Sequence, residues 1–454
     1  MASTYLSRTP ARAGNRRTFT YSTWLKLSTA SVNQTFICTG SSGTSLFQIY
    51  IGSTGRIGIN DYDAGGDFYN ISWSTPGDYV FRDASAWYHF VIAVDTTQAS
   101  ASNRIKFYIN GEDVTSNFTQ TTTPAQNTEL NINNTTVHRI GQDNEGSTYW
   151  NGSMAHIHFI DGTAYDASAF GETDATSGIW KPILSPSVTY GTNGFFLKFG
   201  NSASLGTDSS GNANNFTLSG SGTQTLDTPS NVFATINGVN QGPYFAGTLS
   251  NGNLTHTGIT AGNYYTPGST LRASSGKYYA EFKCQDVTDW CYAGVDTRNL
   301  TASNDWIGKT TSGWSYLGGS SSGGSTSLQH NSLTSAYGDS YTTNDIIGIA
   351  LDLDNNYLYF AKNGVWQNSG DPTSGATGTG GIDISSVSGN DFYFGASNWS
   401  GSYTGGWYYN FGNGYFGTTA VSTPESDSAG IGKFEYSVPS GYYALCTKNI
   451  ATYG

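Results

Sequence analysis

The amino-acid sequence predicts an all-β protein made of two jelly-roll β-sandwiches in tandem. Its 454 residues are too many for one sandwich and suit two of roughly 200–250 residues each. Only 11% of the residues are charged, while 58 are glycine and 31 are tyrosine, so the composition does not favour helices. Gly, Asn, Ser and Thr alternate with aromatic and β-branched residues, which is typical of many short strands joined by turns.

A period-two alternation identifies the first predicted hairpin. In the segments WYHFVIAVD, from Trp87, and RIKFYIN, from Arg104, every second residue is apolar or aromatic. Each segment is therefore predicted to be an antiparallel strand with one face on a core. The second segment ends in Asn110-Gly111, a dipeptide that tolerates the positive φ angles of a tight hairpin turn.

The same hairpin pattern occurs again in the second half. IIGIALD, from Ile346, is followed by YLYFAK, from Tyr357, and then by Asn363-Gly364. Two copies of one hairpin in separate halves predict two domains of related architecture. The boundary is placed near Asp227, where a stretch rich in Gly, Ser and Asn ends and a proline would interrupt a ladder. The predicted domains are therefore 1–226 and 227–454.

Two glycine-rich stretches of the second half are predicted to be long loops. They are Ser312–Gly324 and Gly370–Gly381. Long loops on a rigid sandwich are where binding usually resides. The only helical signal is one turn at Asp166–Gly171.

Ten segments carry a resemblance to known families. Those of the first half are Trp87–Asp95, Ile105–Gly111, Gly152–Gly162, Phe170–Glu172 and Tyr190–Phe199. They resemble the laminin-G-like, concanavalin-type lectin modules found in marine phage and metagenomic proteins. Those of the second half are Gly276–Phe282, Tyr292–Val295, Ile347–Val365, Phe392–Ala396 and Trp407–Gly412. This half resembles a SPRY domain. The resemblance implies a jelly-roll fold in both halves and a structural protein of a tailed phage.

The charge balance and the cysteines limit the partners and the compartment. The net charge of −12 would repel a phosphate backbone, so nucleic acid is not expected as a partner. Four cysteines (Cys38, Cys284, Cys291 and Cys446) are few for a secreted disulfide scaffold, and Cys284 and Cys291, which a hairpin would bring together, are expected to be reduced. No basic-then-apolar leader and no apolar run near 18 residues is present, which predicts synthesis in a host cytoplasm, release by lysis and no membrane insertion.

A short basic stretch at the N-terminus allows two interpretations. Arg8, Arg12, Arg16 and Arg17 occur there without an acidic residue. The first interpretation is a solvated arm. The second is an assembly anchor that docks on an acidic neighbour in a particle.

The sequence offers no catalytic constellation. Glycosidases of the concanavalin-type fold place E-x-D-x-E on one strand, because alternate residues share a face and can flank one glycosidic bond. The seven glutamates are Glu112, Glu129, Glu145, Glu172, Glu281, Glu425 and Glu435, and no two lie within four residues of each other. A Ser-His-Asp arrangement and a phosphate-binding glycine loop are not recognisable either. The protein is therefore expected not to be an enzyme.

Three patterns resemble metal sites without completing one, so no cofactor is predicted. His156 and His158 share a predicted strand face but have no third ligand nearby, and an exposed polar face explains them. Asp61 and Asp63 begin a DYDAGGD run, with Asp67, that lacks the later ligands of a calcium loop. Asp352-Leu353-Asp354 is explained by turn capping. A calcium site built from loop carbonyls, as the laminin-G-like resemblance implies, is left open.

Aromatic side chains beside glycine-rich turns are the predicted ligand-binding groups. They are Trp290, Trp306, Trp314, Tyr316, Trp399 and Tyr403, with Trp407 nearby. A sugar ring stacks its C–H face on an indole while neighbouring polar groups fix its orientation. The alternative is that these rings belong to the core. This alternative is favoured for Trp399 and Trp407 and stands level with ligand binding for Trp314 and Tyr316.

These observations lead to a hypothesis and two rivals. The hypothesis is a virion surface protein, a tail-fibre or adhesion subunit or a capsid decoration, which forms a homo-oligomer on the particle and contacts host-surface glycan or protein through its loops. The first rival is a cement protein that binds only neighbouring virion chains. The second is a polysaccharide depolymerase, which the missing glutamate pair disfavours.

Overall fold

The chain divides into two compact units. The computed structural model describes residues 4–29, 32–41, 45–63, 69–76, 81, 83–175, 177–238, 247–257, 264–287, 290–298, 305–318, 327–399 and 406–454. The units are Met1–Gln224 and Thr225–Gly454. The sequence placed the boundary two residues further along the chain.

The first unit is a β-sandwich. Its strands are β1 (Tyr5–Arg8), β2 (Thr18–Leu27), β3 (Gln34–Thr39), β4 (Leu46–Ile51), β5 (Ile57–Tyr62), β6 (Tyr69–Ser74), β7 (Trp87–Asp95), β8 (Ile105–Ile109), β9 (Glu112–Asp113), β10 (Thr119–Thr122), β11 (His138–Ile140), β12 (Gly152–Asp161), β13 (Gly171–Thr173), β14 (Trp180–Pro182), β15 (Phe195–Leu197) and β16 (Thr217–Ser219). One sheet has the order β10-β6-β5-β4-β3-β11-β1-β16 and the other has the order β15-β12-β2-β7-β8-β9. All the described pairings in both sheets are antiparallel.

The predicted hairpin of the first unit is confirmed, but its burial was underestimated. The strands β7 and β8 pair over Phe90–Val94, and the turn residues Asn110 and Gly111 have φ angles of 49° and 89°. Phe90, with its alternate neighbours on β7, faces the main core. The opposite face of β7 carries Val91, which lies in a second cluster under the segment 165–190. Both faces of β7 are therefore buried, whereas the alternation predicted that only one face would be buried.

The basic N-terminal stretch is part of the fold and does not form a free arm. Its strand β1 lies between β11 and β16, and Leu6 is buried in the core. The ion pairs of Arg16 and Arg17 both go to Glu129, at 3.2 and 3.0 Å. Arg8 donates to the backbone oxygen of Asn193 at 3.4 Å and to the side-chain oxygen of Asn214. The side chain of Arg12 is exposed.

The second unit is also a β-sandwich. Its strands are β17 (Thr248–Ser250), β18 (Thr255–Thr257), β19 (Tyr264–Tyr265), β20 (Lys277–Cys284), β21 (Trp290–Asp296), β22 (Gly313–Gly318), β23 (Ser327–His330), β24 (Leu333–Ala336), β25 (Ile346–Asp352), β26 (Tyr357–Lys362), β27 (Val365–Trp366), β28 (Ile382–Asp383), β29 (Tyr393–Trp399), β30 (Gly406–Asn410), β31 (Tyr415–Phe416), β32 (Thr419–Ala420), β33 (Glu425–Ser426), β34 (Lys433–Phe434) and β35 (Tyr443–Ala444). One sheet has the order β17-β18-β30-β20-β25-β26-β27, with β28 beside β26 and β35 beside β20. The facing sheet has the order β19-β29-β21-β22-β23-β24.

The repeated hairpin of the second unit is confirmed. The strands β25 and β26 pair over Ile347–Asp352, and Asn363 and Gly364 have φ angles of 47° and 81°. The predicted loop Ser312–Gly324 is wrong in its first part, because Gly313–Gly318 is the strand β22. Trp314 and Tyr316 face the core and Ser315 lies on the opposite face, an alternation that the surrounding glycines obscured. Residues 319–324 of the predicted loop lie outside the described residues.

Helices are short in the described part of the chain. Single 3₁₀ turns are Ala101–Asn103, Thr115–Asn117, Ala167–Ala169, Gln367–Ser369, Gly375–Thr377 and Ser385–Val387. The turn predicted near Asp166 is confirmed, since the Asp166 side chain caps it by accepting the Ser168 N–H. The helix α1 (Thr447–Tyr453) was not predicted. No helix in the described ranges has the length and apolar character needed to span a membrane.

Candidate functional site

Two predicted ligand-binding tryptophans meet on the outer face of the six-stranded sheet of the second unit. Trp290, on β21, and Trp399, on β29, are direct partners in the antiparallel ladder. Directly opposed residues project on the same face, about 5 Å apart. Both are half-buried, whereas their strand neighbours Cys291 and Asn398 are buried. We call Trp290 and Trp399 the tryptophan pair.

A stack of rings leads away from Trp290 along the sheet. The ring of Tyr292 lies 6.4 Å from that of Trp290 at an interplanar angle of 13°, and 6.4 Å from that of Trp306 at 30°. The ammonium of Lys309 lies 5.2 Å from the centre of the Trp306 ring. Tyr292 is only 2% exposed, so its ring is enclosed. The faces of Tyr292 and Trp306 are therefore largely used within the protein.

The segment that carries Trp306 is fixed to the sheet by hydrogen bonds. The backbone N–H of Ile307 donates to the hydroxyl of Ser397 at 3.0 Å, and the hydroxyl of Ser315 donates to the backbone oxygen of Ile307 at 2.7 Å. Ile307 itself is buried. Trp306 is thus held in position by the fold, and it forms one side of the surface next to the tryptophan pair.

The charges beside the ring stack balance one another. Arg298 contacts Asp296 at 3.4 Å and Asp305 at 3.6 Å, and Lys309 contacts Asp305 at 3.6 Å. Asp296 is fully buried, and burial raises its pKa. Within these ion pairs of described residues, the charges of two cations and two carboxylates cancel.

Other predicted ligand-binding aromatics lie in the core. Trp314 is 3% exposed and stacks on His330 at 4.4 Å, and Tyr316 is fully buried against Tyr337 and Tyr341. Trp314 and Tyr316 are therefore core residues, and neither side chain can contact a ligand at the surface. Trp407 is also fully buried, as the sequence favoured. Tyr403 lies outside the described residues.

Sequence reasoning missed two members of this site. Tyr292 follows Trp290 by two residues, so period-two alternation places it on the same face. That spacing is the signal in the sequence that locates Tyr292. The contact of Lys309 with Trp306 depends on the path of the loop, which no local pattern predicts.

The two histidines of β12 do not share an exposed face. A register shift lies between Ala155 and His158, and His156 has a φ angle of 46°. His158 is buried, stacks on Phe196 at 4.1 Å and has its Nδ1 2.9 Å from the Tyr190 hydroxyl. The expectation of an exposed polar face was therefore wrong, because the bulge and the covering segment could not be read from alternation.

The carboxylates singled out from the sequence have structural partners. Asp61 accepts the backbone N–H of Asn131 at 2.7 Å, and Asp352 accepts that of Asn355 at 2.9 Å, as turn capping predicted. Asp67 lies outside the described residues. Within the described ranges, no three His, Cys, Asp or Glu side chains are grouped as a metal site.

All four cysteines are free and buried. Cys284 ends β20 and Cys291 lies on β21, and these strands belong to different sheets. The pair therefore meets inside the sandwich and does not face across one hairpin. A hydrogen bond between the two thiols and their burial raise the pKa of Cys291 well above its ordinary value.

Comparisons with known families identify both units. Residues 2–168 match the family described as the concanavalin A-like lectin/glucanases superfamily, and residues 277–382 match the SPRY domain. The chain therefore contains a concanavalin A-like lectin domain followed by a SPRY domain. Domains of these two kinds suggest a role in binding or recognition.

Similar proteins each cover a limited part of this chain. An ATP-dependent RNA helicase DDX1 of Xenopus laevis is 38% identical over 96 residues, which are 21% of this chain and 12% of the helicase. Among solved structures, a stonustoxin (16% identity, TM-score 0.26) covers 39% of this chain and 27% of its own. The PSpry domain of TRIM65 (14%, TM-score 0.30) covers 39% and 91%, and the SPRY domain of human HERC1 (19%, TM-score 0.27) covers 36% and 92%.

Proposed function

We propose that this chain is a non-enzymatic recognition protein on the surface of a tailed-phage particle, where it contacts host-surface glycan or protein. It is a tail-fibre or adhesion subunit or a capsid decoration, made in the host cytoplasm and present in several copies. The observation that carries the recognition role is the tryptophan pair on the outer face of the SPRY domain. The phage assignment is supported by the resemblance of the first half to lectin modules of phage proteins.

The tryptophan pair has the chemistry of a shallow sugar or peptide site. Trp290 and Trp399 are half-buried and adjacent across two strands, so together they offer a continuous apolar surface. An indole stacks on the C–H face of a sugar or on an apolar side chain, and its N–H remains available to a polar partner. The enclosed ring of Tyr292 and the fixed segment at Trp306 keep this surface in place.

A shallow site of this kind is effective when it is repeated. Millimolar affinity corresponds to only about −4 kcal/mol. Several copies on one particle raise apparent affinity by roughly two to four orders of magnitude without new contacts. Weak individual sites therefore suit a virion, and the net charge of −12 argues against nucleic acid as the ligand.

The assignment as a non-enzyme rests on the placement of the glutamates. Glu281, the one glutamate in a predicted and observed central strand, is buried and bonded to backbone N–H groups of Glu435 and Tyr436. Two carboxylates about 5–10 Å apart across a cleft are required for glycoside hydrolysis. Release of reducing sugars from host capsule by the purified chain would support a depolymerase instead.

The proposal is tested by binding. The full-length chain, multimerised on beads, is applied to an array of host-surface polysaccharides and to intact host cells. We expect the multimerised chain to bind whichever carrier displays it. We expect the monomeric chain to inhibit this binding only at millimolar concentration. Absence of binding to both the array and the cells would contradict the adhesion role.

A purely structural cement role is the second candidate, and the exposed cation of Arg12 favours it. Arg12 and the 45%-exposed Arg17 lie on one short segment of a chain that is otherwise acidic. Deletion of residues 1–17 cannot test an anchor, since it removes β1 from the sheet. Substituting Arg12→Ala and Arg17→Ala leaves the strand in place. Loss of incorporation into particles with host binding intact would favour the cement role.

A further inference from the structure

We propose that two copies of this chain pair with each other through the edge strand β24 of the SPRY domain, in an antiparallel two-fold contact centred on Ser335. The six-stranded sheets of the two copies then form one continuous sheet. This inference does not rest on the recognition role of the tryptophan pair.

The strand β24 is an open edge of its sheet. It is the last strand in the sheet order, and its ladder partner is β23. All four of its residues are exposed, and Leu333, at 69%, is the most exposed large apolar side chain in the described part of the chain. A strand edge of this kind presents unpaired N–H and C=O groups, which are a template for pairing with another strand.

The turn before β24 fixes the hydrogen-bonding pattern of the hairpin. Asn331 and Ser332 form a two-residue turn with φ angles of 53° and 58°, and His330 and Leu333 are the pair that closes it. The closing pair of such a hairpin is hydrogen-bonded, and hydrogen-bonded pairs alternate with non-hydrogen-bonded pairs along an antiparallel ladder. Leu333 therefore directs its backbone groups towards β23.

The same alternation identifies the backbone groups that face outwards. Ser335 directs its N–H and C=O towards β23, as Leu333 does, whereas Thr334 and Ala336 direct theirs to the free edge. Among the described residues, no backbone group bonds Thr334 or Ala336 on that side. The outward groups are therefore two residues apart, which is the spacing of successive hydrogen-bonded pairs in an antiparallel ladder.

A two-fold axis at Ser335 uses all of these groups. It places Thr334 of each copy opposite Ala336 of the other, so every outward N–H and C=O obtains a partner. An axis at Thr334 would instead place Ala336 opposite Ser332, whose N–H already donates to the backbone oxygen of Gly308 at 3.2 Å. The free edge is thus complementary to itself in one register.

The charge distribution favours a second copy as the occupant. Residues 327–338 contain no Asp, Glu, Lys or Arg, although the chain carries −12. Two copies repel each other at long range, and this neutral stretch lets them approach without a contact between like charges. The ladder of β24 has no bulge, and its sequence has no proline or charge, the devices that keep an edge from pairing. A two-fold contact also uses each favourable interaction twice.

The contact is small, so the free dimer is expected to be weak. A four-residue strand buries much less than the roughly 800 Å² per partner of a stable interface. Pairing removes the Leu333 side chain from water, and most of the remaining gain comes from backbone hydrogen bonds. The paired form is therefore favoured at high concentration or where several copies are held close together.

The first test is the oligomeric state of the purified full-length chain, measured by sedimentation velocity from about 10 μM to about 1 mM. We expect a dimer that increases with concentration. Leu333→Lys places like charges at the contact and is expected to weaken association by at least about tenfold. Val365→Lys changes a 65%-exposed residue on β27, at an edge of the other sheet, and is expected to leave association unchanged.

The second test is cross-linking of Ser335→Cys with oxidised glutathione. Directly opposed residues of a non-hydrogen-bonded pair have Cα atoms about 4.5 Å apart, which a disulfide can span. The two introduced thiols form one disulfide and reduce one molecule of oxidised glutathione to two of glutathione. The four native cysteines are buried, and Val365→Cys is the matched control.

Selective cross-linking at Ser335, with the control monomeric and the thermal unfolding midpoints unchanged, supports the pairing even where the free dimer is too weak to detect. Absence of cross-linking at Ser335, or equal cross-linking at Val365, overturns it. A dimer that Leu333→Lys leaves intact uses another surface and also overturns it. No ligand is involved, so a failure of host binding leaves these outcomes unaffected.

Discussion

The buried carboxylate of Glu281 accepts a hydrogen bond from the backbone N–H of Tyr436 at 2.9 Å. The Tyr279 hydroxyl donates to the same oxygen at 3.2 Å. The other oxygen accepts the backbone N–H of Glu435 at 2.8 Å and the side-chain amide of Asn410 at 3.3 Å. This one side chain therefore attaches the segment after β34 to the centre of a sheet.

Glu281 is expected to make the SPRY domain less stable as the pH rises through neutrality. Burial raises its pKa from 4.5 to about 7. Because the folded state holds this proton more tightly than the unfolded state, protonated Glu281 stabilises the fold. This stabilisation is fully present below the ordinary pKa of 4.5 and is lost as the pH rises through the folded-state pKa of about 7. Hydrogen exchange at the amides of Glu435 and Tyr436, measured from pH 5 to 8 and corrected for the intrinsic rate, should show decreasing protection.

Glu281→Gln is the matched control for that effect. The amide cannot ionise, so the decrease in protection between pH 5 and 8 should disappear. The glutamine NH₂ group would then face the N–H groups that Glu281 accepts in the wild type. The variant is therefore expected to lose about 1–3 kcal/mol of folding stability at every pH. A variant that retains the wild-type pH dependence would show that another group is responsible.

The lectin domain is expected to respond to acid in the opposite direction. Burial lowers the pKa of His89 to about 3 and that of His138 and His156 to about 4, and lowers that of His158 well below 6.5. A lowered histidine pKa contributes stability above pH 6.5 that is lost as the pH falls towards the folded-state value. Hydrogen exchange of β7 and β12 should therefore accelerate between pH 6.5 and 4, relative to the intrinsic rate. Unchanged protection in both strands would contradict the burial of His89 on β7 and of His158 on β12.

Removal of residues 1–17 is expected to destabilise the lectin domain. The deletion takes β1 out of the sheet between β11 and β16 and removes Leu6 from the core. By contrast, Arg16→Ala and Arg17→Ala each break one partly exposed ion pair with Glu129, which is worth at most about 1 kcal/mol. Arg16→Ala also removes the hydrogen bond from its Nε to the backbone oxygen of Leu130, at 2.7 Å. Thermal unfolding should show a much lower midpoint for the deletion than for either substitution. Equal midpoints would mean that the strand contributes little.

The sequence predicted the sandwiches because period-two alternation is a local signal. The hairpins at Asn110-Gly111 and Asn363-Gly364 were found from apolar spacing and turn chemistry, and both are present. The same rule failed at Gly313–Gly318, where glycine and serine hid an alternation carried by Trp314 and Tyr316. A clear local alternation therefore identified strands correctly, but its absence did not show that a segment is a loop.

The candidate site depends on contacts between residues that are far apart in the sequence. Period-two alternation does not predict which strands are neighbours in a sheet. Trp290 and Trp399 were singled out separately, but their pairing requires the strand order of the sheet. Side-chain identity could be read in advance, whereas adjacency between strands could not.

The most direct test of the recognition role is the affinity of the multimerised full-length chain for its best array ligand, with and without Trp290→Ala and Trp399→Ala. Trp366→Ala, which removes another half-buried tryptophan on the opposite sheet, is the matched control. The account predicts at least about tenfold weaker binding for the double variant and unchanged binding for the control. Wild-type affinity in the double variant, with an intact fold, would contradict recognition by the tryptophan pair.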